Sequence, residues 1–95
     1  MISFTDVAKD RVLRFIEAQR SQGVTALRIA GTRAEQRLWL VKPEDKRPDD
    51  EVQSENGFDV YLDKLSAKQL DGATVDFVEG VMQSGFRLFF VGATW

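Results

Sequence analysis

The chain has 95 residues, 43% of them hydrophobic, with a formal net charge of −2 and neither cysteine nor histidine. Length and hydrophobic fraction predict one globular domain over residues 1–95, and the slight acidity argues against a nucleic-acid binder and against electrostatic docking on an anionic membrane. Because there is no thiol, disulfides, thiolate nucleophiles and thiolate metal sites are excluded.

The first part of the chain predicts a short strand followed by an amphipathic helix. Residues 2–4 alternate as in a strand, and the side-chain oxygen of Thr5 or Asp6 can accept from free N–H groups at a helix start. Gly23 is placed to end this helix, which we expect over residues 6–20. The predicted buried face has helical spacing and consists of Ala8, Val12, Phe15 and Ile16.

Two strands and a charged loop follow the helix. Residues 26–30 (ALRIA) alternate apolar side chains with a basic residue, and residues 38–41 (LWLV) are bulky on both faces. A polar loop is predicted between them at residues 31–36. Pro43 ends the second strand because proline cannot donate to a β-ladder, so residues 43–51 are predicted to form a charged loop.

The strongest local signal in the second half is Asn56-Gly57, which stands between strand-like residues 52–55 and 58–62. Such a pair predicts a tight hairpin with positive φ at both turn positions. The other predicted elements are a short helix over residues 63–70, a turn at Asp71-Gly72, and strands over residues 73–78 and 86–91. One early helix followed by short, mostly antiparallel strands predicts an α+β, mostly β fold: a compact β-sandwich or half-barrel with an N-terminal helix.

Two segments carry a resemblance to a known family. Residues 55–63 (ENGFDVYLD) and residues 70–79 (LDGATVDFVE) occur in the order found in A-type iron–sulphur carriers. Over about residues 2–90 the chain resembles this HesB/IscA group. Residues 60–67 (VYLDKLSA) are similar to the N-terminal domain of Nfu-type carriers, a degenerate A-type unit that often lacks the ligand cysteines. The resemblance implies a single degenerate HesB-like domain.

The resemblance also implies where a cluster would be held. In the family, one ligand cysteine lies in a loop after a Leu-Arg-Ile strand, and two more form a Cys-Gly-Cys tail after the last strand. The corresponding stretches here, residues 31–36 and residues 91–95, contain no cysteine. No family ligand carries over to this sequence, and we expect neither a metal site nor a bound cofactor.

Oxygen ligands and catalytic groups remain as candidates. Glu35 and Gln36 could bind iron through oxygen, and the acidic run 49–51 (Asp49, Asp50, Glu51) could bind a hard cation, but consecutive carboxylates point in different directions and are expected to stay solvated. Asp71 is interpreted as a turn residue and Asp76 as a residue on the wet face of its strand. Without histidine, a nucleophile motif or a glycine-rich phosphate loop, we predict that the protein is not an enzyme.

Aromatic side chains indicate a protein-contact surface instead. Phe86, Leu88 and Phe90 share one face of the last strand, and Phe89 lies on the other. If only the first face is core, the second exposes an apolar patch of the kind that marks interaction sites; the alternative is a strand buried on both faces. The predicted contact residues, which would share this patch, are Trp39, Phe89 and Trp95.

The predicted function is that of a non-catalytic protein-binding or scaffold domain linked to iron–sulphur cluster biogenesis, with a partner protein from cluster assembly. The alternatives are an iron or iron–sulphur carrier with non-cysteine or partner ligands, and a stand-alone domain whose role has drifted. A homodimer is compatible with all three. No apolar run reaches the roughly 20 residues of a membrane helix, and no signal peptide is visible, so a cytoplasmic protein without nucleic-acid or membrane partners is expected.

Overall fold

The computed structural model describes residues 1–80 and 84–90, which form two β-sheets and two α-helices. The strands are β1 (Ser3–Phe4), β2 (Ala26–Gly31), β3 (Gln36–Val41), β4 (Glu51–Glu55), β5 (Phe58–Leu62), β6 (Ala73–Glu79) and β7 (Ser84–Phe90). The helices are α1 (Asp6–Ala18) and α2 (Lys64–Gln69), and 3₁₀ turns occupy Arg20–Gln22 and Pro43–Asp45. Within the described ranges, no helix is long and apolar enough to cross a membrane.

The two sheets combine local hairpins with strands that are distant in sequence. The smaller sheet has the order β1-β6-β7 and the larger sheet the order β3-β2-β5-β4. Neighbouring strands are antiparallel except in the pairs β1–β6 and β2–β5, which are parallel. These parallel pairs need long connections, and α1 lies in the first of them. The predicted fold class, mostly β with an N-terminal helix, is confirmed.

The main core lies between the inner faces of the two sheets and α1. The helix contributes Ala8, Val12 and Ile16, which recur with the helical period. The prediction that Phe15 shares this buried face is wrong. Phe15 lies at the edge of the apolar stripe and is 40% exposed, and its ring packs edge-on against Phe86, with 6.1 Å between the centroids.

Thr5 begins α1 and also ties the helix to the smaller sheet. Its hydroxyl oxygen accepts from the Ala8 N–H at 3.1 Å, as predicted for a helix cap, and the same hydroxyl donates to the Asp76 carboxylate at 2.8 Å. Asp76 is half-buried by this contact rather than fully solvated. The helix ends at Ala18, earlier than predicted, and Gly23 (φ 83°) closes the 3₁₀ turn that follows.

The hairpin predicted around Asn56-Gly57 is confirmed, with one correction. Strands β4 and β5 are antiparallel, and Glu55 lies opposite Phe58. Gly57 has φ 109°, but no non-glycine residue in the described ranges has a positive φ. The prediction of two positive φ angles is therefore wrong for Asn56, and this turn needs only one left-handed position.

Candidate functional site

The connection between β2 and β3 is a closed turn at the position that corresponds to the ligand loop of an A-type carrier. The Thr32 N–H donates to the Glu35 carbonyl at 2.8 Å. The side-chain amide of Gln36 donates to the carbonyls of Thr32 at 2.7 Å and Arg33 at 2.8 Å. Gly31 (φ 133°) lies so near the returning chain that a Cβ would collide with the Glu35 carbonyl oxygen. The backbone of this turn and the Gln36 amide thus bond to one another, whereas the Glu35 side chain is exposed.

The candidate oxygen ligands do not come together around a cation. In residues 1–80 and 84–90, no group of three or more carboxylate, histidine or cysteine side chains is placed to hold a metal ion. The acidic run is divided, because Asp49 is exposed, Asp50 is buried and Glu51 begins β4. Asp71 lies in a turn as predicted, beside Gly72 with its φ of 85°.

Arg28 and Asp50 form a buried ion pair that sequence reasoning missed. Their side chains are 4% and 1% exposed, and the guanidinium donates to the two carboxylate oxygens at 3.2 and 2.5 Å. The same carboxylate accepts from the Arg47 N–H at 2.8 Å, and Arg28 also donates to the Asp45 carbonyl at 3.3 Å. The prediction that the acidic run stays solvated is wrong for Asp50.

Each partner of this pair stabilises the charged form of the other. The hydrogen bond from Arg28 lowers the pKa of Asp50, although burial acts in the opposite direction. The hydrogen bond to Asp50 likewise raises the pKa of Arg28. The pair joins the loop 42–50 to the outer face of the larger sheet, because Arg28 belongs to β2 and Asp50 belongs to the loop. A lone basic residue in the apolar strand β2 is the sequence signal that could have indicated this contact.

Trp39 lies on the outer face of the larger sheet, beside the part that the loop 42–50 covers, and is itself exposed to solvent. It stands directly opposite Arg28 in the β2–β3 pair, so both side chains point to the outer face of the sheet. On the same face, Ala26, Val41 and Tyr61 form a second, smaller buried cluster. Trp39 is 43% exposed. The loop therefore covers part of this face and leaves a large aromatic ring exposed next to it.

Phe89 lies on the outer face of the smaller sheet. Leu88 and Phe90 pack against the core, whereas Phe89 is half-buried and has the Arg87 guanidinium 5.8 Å from its ring centroid. Arg87 itself is exposed. Strand β7 therefore has one core face and one outer face, and the alternative in which both faces are core does not describe it.

The predicted contact residues do not share one patch in the described part of the chain. Trp39 and Phe89 belong to different sheets, and each side chain points away from the core that the sheets enclose. Trp95 and the predicted last strand residue Val91 lie outside the described residues. The contact roles of Trp39, Phe89 and Trp95 stay predictions, with Trp39 and Phe89 on separate surfaces.

The fold and the sequence both match proteins of iron–sulphur cluster assembly. Escherichia coli SufA, involved in biosynthesis of iron–sulphur clusters, superposes with a TM-score of 0.75 over 97% of this chain and 87% of its own, at 18% identity. An uncharacterized protein from the nifU 5′ region of Azotobacter vinelandii is 35% identical over an alignment of 97 positions, gaps included, which covers 99% of this chain and 90% of that protein.

A further relative contains the same unit within a longer chain. The Fe/S biogenesis protein NfuA of Stenotrophomonas maltophilia is 32% identical over 84 residues, which cover 84% of this chain but only 42% of NfuA. The family model for iron–sulphur cluster biosynthesis matches residues 1–88. As its resemblance to the HesB/IscA group predicts, the chain belongs to the iron–sulphur cluster biosynthesis family.

Proposed function

We propose that this protein is a non-catalytic binding or scaffold domain of iron–sulphur cluster biogenesis, which contacts a partner protein and ligates no cluster itself. The turn between β2 and β3 carries the proposal. At the position of the family's ligand loop, the Thr32 N–H, the Glu35 carbonyl and the Gln36 amide are engaged within the turn, the Glu35 side chain is exposed, and the sequence supplies no thiolate or imidazole anywhere. Cluster iron prefers such soft donors.

Exposed aromatic residues support the protein-contact part of the proposal. Trp39 is 43% exposed on the larger sheet, and Phe89 is half-buried on the outer face of the smaller one. Large aromatic side chains are favoured anchors at protein interfaces because they bury much area with few rotatable bonds. Leu65, which is 65% exposed on α2, is an apolar surface residue outside both faces and serves as a matched control.

The cluster part is tested by anaerobic reconstitution with iron and sulphide, followed by desalting. We expect a colourless protein fraction without stoichiometric iron, because the chain has no thiolate to retain a cluster. Adding a free thiol such as glutathione should not change this result. A stable absorbance band with stoichiometric iron in the protein fraction would instead support the alternative of a carrier with other ligands.

The partner part is tested by binding to purified cluster scaffold and carrier proteins of the same host. We expect saturable binding to at least one of them, weakened in Trp39→Ala or Phe89→Ala and unchanged in Leu65→Ala. Circular dichroism should show that all three variants remain folded. If none of the purified assembly proteins binds, the biogenesis role proposed for this chain is wrong.

A further inference from the structure

Within residues 1–80 and 84–90, no strand pairs with the outer edge of β3, whose backbone groups are available to another strand. Among the described residues, β3 pairs only with β2. In an antiparallel pair, residues alternate between those bonded across the pair and those whose N–H and C=O point outward. Because the Thr32 N–H bonds to the Glu35 carbonyl across the pair, every second residue from Glu35 onward has its backbone groups directed toward β2. The Val41 carbonyl, which accepts from the Thr25 N–H at 3.2 Å, is directed toward β2 as this alternation requires. Outward-pointing backbone groups belong to Gln36, Leu38 and Leu40.

The side chains of this edge are apolar and incompletely covered. Leu38 and Leu40 point toward the core, yet both are only partly buried, and Trp39 between them is 43% exposed. Soluble proteins usually protect an edge strand with central charges, proline or a bulge. Strand β3 has none of these at its centre, whereas the opposite edge of the same sheet, β4, is the polar stretch EVQSE.

The ends of β3 define the length and the charge of a matching strand. The Lys42 N–H donates to the Asp45 carboxylate and the Lys42 carbonyl accepts from the Asp45 N–H, each at 3.0 Å, so the open ladder ends there. Arg37 and Lys42 are exposed, and neither forms an ion pair with another described residue. No acidic residue occurs between them. The edge therefore matches about six residues of extended chain, with an acidic side chain at the end that lies opposite Arg37.

We propose that the β3 edge binds an acidic, extended segment of a partner protein as an added strand of the larger sheet. The backbone of the segment would bond to Gln36, Leu38 and Leu40, an acidic side chain would stand opposite Arg37, and an apolar one would stand opposite Trp39. This inference rests on the proposed function, because it names the mode and the chemistry of the contact at Trp39.

The test uses the fluorescein-labelled peptide acetyl-EVFISE-amide and the whole chain in a fluorescence anisotropy titration. We expect saturable binding that weakens as salt is added. The same peptide with lysine in place of each glutamate should bind about threefold to fivefold more weakly, in line with the size of cross-strand charge pairs. Equal binding of the two peptides would contradict the charge part of the proposal.

Backbone pairing is tested by N-methylating the peptide at alternate residues. An added strand presents every second N–H to β3, so one of the two alternate sets of N-methyl groups should weaken binding about tenfold or more while the other set leaves it nearly unchanged. This comparison needs no change to the protein and hence carries no risk of misfolding. Equal effects of the two sets would overturn strand addition.

Protein variants locate the binding to β3. Arg37→Glu should reverse the preference between the acidic and the lysine-substituted peptides, and Trp39→Ala should weaken binding of both. Val52→Ala, an equally exposed apolar residue on the opposite edge strand β4, is the control and should not change binding. If Val52→Ala weakens binding as much as Trp39→Ala, the site is not the β3 edge.

A second copy of the chain is the competing occupant of this edge. Light scattering coupled to size exclusion should give a molecular mass that Arg37→Glu and Trp39→Ala leave unchanged. A dimer that Arg37→Glu or Trp39→Ala dissociates would overturn the inference in favour of self-pairing. If the peptide does not bind but a purified assembly protein still does so in a Trp39-dependent way, strand addition is wrong while the proposed function stands.

Discussion

The Arg28–Asp50 pair shows how a single charge can be buried in a small β domain. A basic residue within an apolar strand would cost several kcal/mol to bury alone. Here the carboxylate accepts two hydrogen bonds from it, the Asp45 carbonyl accepts a third, and the Arg47 N–H donates to the carboxylate. A loop with two prolines is thereby held against the sheet, next to the exposed Trp39.

Removing Asp50 is expected to destabilise the domain strongly. Asp50→Ala leaves the Arg28 guanidinium buried without its counterion, which should lower the free energy of unfolding by about 3–5 kcal/mol. Asp49→Ala, a change to the exposed neighbour, should shift it by less than about 0.5 kcal/mol. Urea denaturation followed by circular dichroism gives both values. Equal effects in the two variants would mean that the ion pair does not hold the loop.

The same pair should make stability depend on pH in the acid range. Because the folded-state pKa of Asp50 lies below its ordinary value of 3.8, the unfolded chain binds more protons in this range. The stabilisation is fully present above the ordinary value and is lost as the pH falls through the folded-state pKa. Between about pH 6 and pH 3, Asp50→Ala should therefore lose less stability than the original chain.

Among the elements, the β4–β5 hairpin depends on one glycine. Gly57 has φ 109°, and a Cβ there would lie 2.8 Å from the Leu13 Cδ2 atom of α1. Gly57→Val places a β-branched residue at a positive φ and brings its Cβ against Leu13. The free energy of unfolding should therefore fall by about 1–2 kcal/mol. Gly85→Val is the control, because Gly85 lies in β7 with open space around its Cβ position and no positive φ. An unchanged melting midpoint for Gly57→Val would contradict the turn geometry.

Strand β7 should tolerate changes on its outer face better than β6 tolerates changes on its inner face. Phe89 is half-buried on the outer face, so Phe89→Ala should cost about 1 kcal/mol of stability. Phe77 is 9% exposed in the core, and Phe77→Ala should cost about 3–5 kcal/mol. Thermal denaturation of both variants checks this order. A loss for Phe89→Ala as large as that for Phe77→Ala would place Phe89 in the core and remove it from the candidate contact surfaces.

At the level of the whole molecule, Gln53 joins the two sheets. Its side-chain amide accepts from the Ile2 N–H at 2.9 Å and donates to the Ile2 carbonyl at 2.5 Å, and Ile2 directly precedes β1. Gln53→Ala leaves this partly buried peptide group without its partner and should cost about 1–2 kcal/mol. Ser54→Ala, on the exposed side of the same strand, is the control. Hydrogen exchange at Ile2 should accelerate only in Gln53→Ala.

Features that depend on neighbouring residues could be predicted from the sequence. The helix cap at Thr5, the hairpin at Asn56-Gly57 and the alternation along β7 each rest on contacts within a few positions, and the structure has all of them. The local signals indicated a mostly β domain with an early helix, and the resemblance of residues 55–63 and 70–79 to A-type carriers indicated the HesB-like fold. The absence of thiolate ligands is likewise a property of the amino-acid sequence alone.

Burial could be decided only by the tertiary structure. Phe15 has the spacing of a core residue but lies at the margin, because the sheets cover only the centre of the helical stripe. Arg28 has the character of a solvated residue but is buried, because Asp50, which lies 22 positions along the chain, supplies the opposite charge. The sequence contains both residues of such a pair but not the distance between them, and desolvation and Coulomb attraction both depend on that distance.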